Sequence, residues 1–234
     1  MRKVIVIILF TLSFILISSG MVLSITGFSG NRANMLNKEE YNKYQPIVHD
    51  TIMKYNDIFS NYYPIEDFND FSDEFKTLFL LKTNLKEDVG EIDVATLEKE
   101  SSKYFNNFEI IKQDIKINDS LLYSYEDEKY YFVSNIQSNC KVVVKDYSDN
   151  AYKDKWISKN KLYFVNKEAI AGKYSVYSTL NDCDNDKKSL FSYNEDEKMS
   201  NDDYELIKSK LNTYVYTFNR VSDRYIIKSI KIEK

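Results

Sequence analysis

The chain has 234 residues, and 43% of them are hydrophobic, which is enough to form a core and excludes a fully disordered chain. The formal net charge of −4 argues against nucleic acid and other polyanions as partners, because phosphate binding needs a basic patch. The 5 Gly and 2 Pro exclude collagen-like and low-complexity sequences, and 4 Arg among 32 basic residues are typical of a low-GC bacterial genome.

An uncharged stretch, residues 4–28, follows Arg2 and Lys3. A helix of this length spans ~37 Å, more than the ~30 Å of hydrocarbon in a bilayer. We therefore predict a transmembrane signal anchor; a cleaved signal peptide with Val4–Ile17 as its apolar core is the alternative. The basic residues place 1–3 in the cytoplasm and the rest of the chain outside it. The sequence thus predicts a single-pass cell-membrane protein, or a secreted one if the segment is removed.

Residues 29–40 are predicted to be a tether, and residues 41–234 to form an extracytoplasmic domain. The domain begins with a helical part, 41–107, in which apolar residues first recur every three or four positions. Pro46 lies in this stripe, so it occupies either the first turn of a helix or the interior of one that begins earlier. The stripe is Tyr41, Tyr44, Val48, Ile52, Tyr55, Phe59 and Tyr62, and it ends at Pro64.

Two further helices are predicted in this part. Asp70 or Ser72 is expected to cap the second helix, which ends before Asn84. Asp93 is expected to cap the third, because it precedes an apolar stripe at helical spacing. A short helix near residues 200–210 has Ser200 as its predicted cap and acidic residues in its first turn.

From Phe108 the apolar period changes to two, so residues 108–234 are predicted to be rich in β-strands. Turns are expected at 126–128 and 222–223, where polar residues separate two such runs. The predicted strands lie near 108–117, 120–126, 129–136, 140–147, 160–166, 173–179, 188–193, 212–219 and 224–233.

Helices followed by strands indicate an α+β fold, in which about three helices pack on a mainly antiparallel β-sheet. By this layout alone the chain resembles NTF2-like and cystatin-like domains. The residues themselves show no resemblance to a particular family.

Cys140 and Cys183 are the only two cysteines, and both follow the predicted membrane segment. Outside the cytoplasm such a pair can persist as a disulfide. Both lie near ends of predicted strands, where neighbouring elements can be bridged. We therefore predict a Cys140–Cys183 disulfide; two unrelated thiols are the alternative.

The sequence has no recognisable catalytic, cofactor-binding or metal-binding motif, so we predict no cofactor. His49 is the single histidine, which excludes multi-histidine zinc sites, and no GxSxG turn could place the serine of a triad. We expect His49 to be a boundary residue of the first helix. Residues 182–186 resemble the start of a calcium loop, but Lys187 and Tyr193 stand where glycine and glutamate are needed, so we expect a solvated acidic turn.

The chain contains 20 Tyr, and many lie on predicted strands. Where tyrosines are adjacent, alternation places one on each face of the sheet, so some must point away from the helices. Tyrosine suits recognition because it combines apolar area with a polar tip. We therefore predict that Tyr130, Tyr131 and Tyr163 contribute to a binding surface.

These features predict a membrane-tethered, extracytoplasmic domain that is not an enzyme and binds a protein or a cell-envelope component. One alternative is a cell-envelope hydrolase that uses a carboxylate pair, because 36 acidic residues offer many pairs. Another is a structural subunit of a secretion or conjugation apparatus.

Overall fold

The computed structural model describes residues 34–61, 71–85, 90–106, 108–117, 119–135 and 138–233. Leu36–Lys234 form one compact unit. The predicted membrane segment, residues 4–28, and the predicted helix stop at Pro64 lie outside the described residues. Within the described ranges, no helix combines the length and the apolar character that crossing a membrane requires.

Helix α1 spans Lys38–Asn61, and its first turn is capped by Asn37, whose side chain accepts a hydrogen bond from the Glu40 amide at 2.9 Å. Pro46 lies inside α1, so the helix begins before the proline, the second of the two alternatives. The stripe predicted from the sequence is the buried face of the helix, since Tyr44, Val48, Ile52 and Tyr55 are all buried.

The other helices begin at side-chain caps, and the caps predicted from the sequence are confirmed. The cap of α2 is Ser72 rather than Asp70, that of α3 is Asp93, and that of α5 is Ser200. Each side chain accepts a hydrogen bond from the amide three residues later, which satisfies a donor that a helix start leaves free. The bounds are α2 Asp73–Asn84, α3 Val94–Ser101, α4 Leu180–Asp184 and α5 Asn201–Lys208.

A four-stranded antiparallel sheet has the strand order β1-β4-β3-β2. Its strands are β1 Glu91–Asp93, β2 Ile115–Ile117, β3 Ser120–Glu126 and β4 Lys129–Phe132. Asp127 and Glu128 join β3 to β4 with φ angles of 48° and 60°, the left-handed backbone that two-residue hairpin loops favour. The turn predicted at 126–128 is therefore confirmed.

A six-stranded antiparallel sheet divides around a long central strand, β6. One edge of β6 pairs with β5 along its length. The other edge pairs with β9 at Lys155–Lys161 and with β7 at 164–165, so the sheet forks. The strands are β5 Cys140–Ala151, β6 Lys155–Asn166, β7 Lys173–Tyr177, β8 Phe191–Asn194, β9 Thr213–Val221 and β10 Arg224–Glu233.

The main hydrophobic core lies against one face of the six-stranded sheet. It combines buried residues of α1, α2 and α3, of the small sheet and of the inward positions of β6 and β9, among them Trp156 and Phe218. The opposite face carries a smaller core, in which Tyr204 and Ile207 of α5 pack against Tyr163. The domain is thus α+β, as predicted.

The architecture differs from the prediction in two respects. The strands form two sheets rather than one, and helices pack on both faces of the larger sheet. The sequence prediction also missed β1 and α4 and ended β5 before its turn at 152–154. β1 and α4 are only three and five residues long, too short for a periodic pattern. In β5, a bulge breaks the alternation of apolar and polar residues.

Candidate functional site

Two of the three tyrosines predicted to form a binding surface are buried. Tyr130 is 0% exposed and Tyr163 is 5% exposed, so neither can contact a partner in the folded chain. Tyr130 packs in the main core beside Tyr125, and α5 places Tyr204 over Tyr163 at a ring distance of 6.2 Å. Tyr131 is half-buried. Tyr163 is buried because α5 covers the second face of the large sheet, whereas Tyr130 is buried because its face of the small sheet packs into the main core. Alternation within a strand does not show which faces other elements cover.

A buried polar cluster surrounds the carboxylate of Asp149, near the end of β5. Its Oδ2 atom lies 2.8 Å from Nε2 of His49 and accepts a hydrogen bond of 3.0 Å from the Tyr41 hydroxyl. The Asp149 side chain is 4% exposed, whereas that of His49 is 24% exposed. Both His49 and Tyr41 belong to α1. The cluster therefore ties this helix to β5.

A β-bulge in β5 orients the residues next to this cluster. The pairing of β5 with β6 shifts between Lys145 and Ser148, and Asp146 has a φ of 54°, a backbone that costs a non-glycine residue energy. The two bulged residues contact different helices. Asp146 forms an ion pair of 3.0 Å with Lys208 of α5, whereas the Tyr147 ring stacks on His49 at 4.3 Å.

An exposed patch lies on the surface beside α1, next to the bulge. It consists of His49, Met53 and Tyr147, and we call it the bulge patch. The Tyr147 hydroxyl donates to Sδ of Met53 at 3.5 Å, and the same tyrosine stacks on His49. Met53 is 45% exposed and Tyr147 is 37% exposed. The sequence prediction missed this patch because the residues are about 100 positions apart, and no periodic pattern pairs α1 with a bulge.

The charge states of the cluster follow from its burial and its hydrogen bonds. Burial raises the pKa of Asp149, but polar contacts, the largest of which is the hydrogen bond with His49, outweigh it, and the resulting pKa lies below the ordinary value. Burial and then the hydrogen bond to Asp149 raise the pKa of Tyr41 to about 12. Burial and then the charge of Asp149 raise the pKa of Tyr147 to about 12. At neutral pH the cluster therefore holds an ionised carboxylate and two neutral tyrosines.

A serine lies near this His-Asp pair, but the arrangement does not match a catalytic triad. In a triad the serine hydroxyl bonds to the histidine and meets the substrate. Here Ser158 is opposite Asp149 on β6, its hydroxyl lies by the carboxylate, and the side chain is fully buried. The geometry favours a structural link between α1 and β5, with only its outer side open to a partner.

The Cys140–Cys183 disulfide predicted from the sequence is confirmed. The two Cα atoms are 6.2 Å apart, and the bond joins the start of β5 to α4 across 43 positions of sequence. Both cysteines are buried, together with Phe164 and Tyr177, in a small third core. The disulfide therefore fixes α4, a helix too short to be stable by itself, to the large sheet.

The acidic residues at 182–186 form the end of α4 and the turn after it, and they hold local structure. The Asp182 carboxylate accepts from the Thr179 hydroxyl at 2.7 Å, Asp184 from Ser138 at 2.7 Å, and Asp186 from the Tyr177 hydroxyl at 2.5 Å. Each of the three carboxylates thus accepts a hydrogen bond from a different nearby hydroxyl. Among the described residues, no group of three or more His, Cys, Asp or Glu side chains is arranged to hold a metal ion.

Comparisons with known proteins return no match: neither a family model, nor a curated protein, nor a solved structure is similar to this chain. The arguments on function therefore depend on the residues and their geometry.

Proposed function

We propose that this chain is a membrane-tethered, extracytoplasmic domain that binds a protein or a cell-envelope component and performs no chemistry. Residues 4–28 would anchor it in the cell membrane, with residues 1–3 in the cytoplasm. The bulge patch would be its contact surface, in place of the three tyrosines predicted from the sequence.

The disulfide supports the extracytoplasmic part of this proposal. Structural disulfides persist in oxidising compartments and are rare in the cytoplasm, where thiols are kept reduced. Cys140 and Cys183 are the only cysteines, they lie within bonding distance, and both are buried in the folded domain. Two reduced thiols enclosed in this way would gain no covalent stabilisation. This disulfide is the single observation that carries the proposed location.

The bulge patch supports a binding role. Tyrosine and methionine are common at binding surfaces, since tyrosine offers apolar area with a polar tip and methionine adapts its shape. Tyr147 is held by its stacking on His49, so less conformational entropy is lost when a partner contacts it. The bulge that presents Tyr147 costs backbone energy at Asp146, and bulges of this kind often re-aim a side chain at a functional site.

The resolved pKa shifts lend no support to the hydrolase alternative. A carboxylate-pair hydrolase needs one carboxylic acid with a raised pKa to protonate the leaving group. Among the described residues, every carboxyl group with a resolved shift has a lowered pKa: Asp93, Glu128, Asp146, Asp149 and Asp203. These five carboxylates are suited to hold local structure as anions.

Paired substitutions test the proposed surface. The full chain, tagged at its C-terminus, is used to capture partners from detergent-solubilised envelopes. Replacing Met53 and Tyr147 by Ser should reduce the amount of specific partner at least about tenfold, as expected for loss of an aromatic anchor. The control replaces Ile170 and Leu206 by Ser, because both are exposed apolar residues away from the patch. This control should capture as much partner as the wild type.

Two results would contradict the proposal. Equal capture by the Met53/Tyr147 variant and the wild type would remove the bulge patch from the interaction. Turnover of an envelope substrate by the purified chain, abolished by a single Asp or Glu substitution, would show that the domain is an enzyme. Far-ultraviolet circular dichroism of both variants checks that each is folded.

A further inference from the structure

The central strand of the large sheet carries polar residues at positions that face the main core. In β6, alternate residues Trp156, Ser158, Asn160 and Leu162 point towards α1 and are all buried. Burying a polar side chain without a hydrogen bond is costly, so each such group requires an explanation. Asn160 is the extreme case, because it is 1% exposed and both polar atoms of its amide lack a hydrogen-bond partner among the described residues.

Asn160 lies within a group of polar side chains. The register puts it opposite the bulge that contains Tyr147 on one side and opposite Tyr214 of β9 on the other. Tyr216, one inward position further along β9, donates a hydrogen bond to Oδ1 of Asn56 in α1. Asn56 is also fully buried, and its Nδ2 atom has no partner among the described residues. The unpaired atoms thus come from both sides of the contact between α1 and the sheet.

The mixture of unpaired atoms identifies the kind of molecule that fits them. Asn160 offers one acceptor and one donor, and Asn56 offers a donor. A metal ion would need several oxygen ligands and more negative charge, and among the described residues no group of three or more His, Cys, Asp or Glu side chains is arranged to hold one. An apolar ligand would leave all three atoms unsatisfied. A small neutral molecule that both donates and accepts hydrogen bonds meets these requirements.

We propose that the contact between α1 and β6 contains a built-in site for ordered water, which bridges the Asn160 amide to Asn56 and to the polar groups around Ser158. Inward side chains on one strand repeat every ~7 Å, so a single water molecule cannot contact both Ser158 and the far side of Asn160. We therefore expect about two or three water molecules in the site. Buried water of this kind typically makes about three hydrogen bonds, which the available donors and acceptors can supply. This site lies behind the bulge patch and is independent of the proposed function.

A crystal structure of the protein, at a resolution at which buried water is ordered, tests the site directly. Electron density within hydrogen-bond distance of both Oδ1 and Nδ2 of Asn160 is the expected result. In the Asn160→Leu variant this density should be lost or displaced. The matched control is Asn166→Leu, because Asn166 is buried on the same strand but its Oδ1 already accepts from the Ser175 amide at 3.2 Å. The control should retain the density at Asn160.

Denaturant unfolding of the same variants provides a second test, in which the direction of the change in the unfolding midpoint is decisive. If the site is dry, Asn160→Leu removes two unsatisfied polar groups and should raise the unfolding midpoint. If water is bound, the substitution removes satisfied hydrogen bonds and should lower the midpoint or leave it unchanged. A raised midpoint would overturn the proposal. So would a structure in which the Asn160 amide bonds to protein groups and no density adjoins it.

Discussion

Tyr130 and Tyr131 are neighbours in β4 and have opposite environments, since the first is fully buried and the second is half-buried. Replacing Tyr130 by Ser should therefore lower the free energy of unfolding by about 3–5 kcal/mol, the usual cost of removing a large buried aromatic side chain. Tyr131→Ser should cost much less. Equilibrium urea unfolding measures both, and an equal loss for the two variants would contradict the assigned register.

At the same scale, Asp149 makes stability depend on pH in a defined direction. Its folded-state pKa is lowered, so its contribution is fully present above the unfolded value of about 3.9. The contribution is lost as the pH falls through the lower, folded-state pKa. Asp149→Asn should therefore reduce the free energy of unfolding by about 1–3 kcal/mol at pH 7, and the difference from the wild type should shrink towards pH 2.

Urea unfolding at several pH values measures this dependence. Asp223→Asn, in an exposed turn, is the control and should differ little from the wild type at any pH. A difference for Asp149→Asn that stays constant between pH 7 and pH 2 would show that the carboxylate does not act through its charge.

At the scale of the elements, the disulfide determines how α4 is held. Replacing Cys140 and Cys183 together by Ser should lower the free energy of unfolding by roughly 2–4 kcal/mol, because a 43-residue loop is no longer closed in the unfolded chain. In the wild type both sulfurs are buried, so a mild reductant should act only after denaturant is added. Rapid reduction of the native protein, followed with a thiol reagent, would contradict the buried position.

Element starts were predictable from the sequence where a local interaction decides them. Ser72, Asp93 and Ser200 each bond to an amide three residues away, so the residue type and its position are sufficient evidence. The Cys140–Cys183 pair was predictable because only one pairing exists. Other features depend on contacts between distant segments of the chain. These are the bulge at Asp146, the packing of α5 on Tyr163 and the His49–Asp149 pair. No periodic pattern in one segment carries that information.

For the whole molecule, the predicted anchor can be tested independently of the folded domain. If residues 4–28 are retained as an anchor, the mature protein should still contain this segment. N-terminal sequencing, or mass spectrometry of the intact protein, checks this. A mature start between Gly20 and Gly30 would show that the segment is a cleaved signal peptide, and the domain would then be secreted.

The central claim is that the domain folds and acts outside the cytoplasm, and the redox state of its only two cysteines in the cell tests this most directly. Cells are quenched with acid, and the denatured protein is treated with a maleimide reagent that adds visible mass to each free thiol. The account predicts no mass shift before reduction and a shift of two labels after it. Two labels without prior reduction would mean that Cys140 and Cys183 are thiols in the cell, and would contradict an extracytoplasmic location.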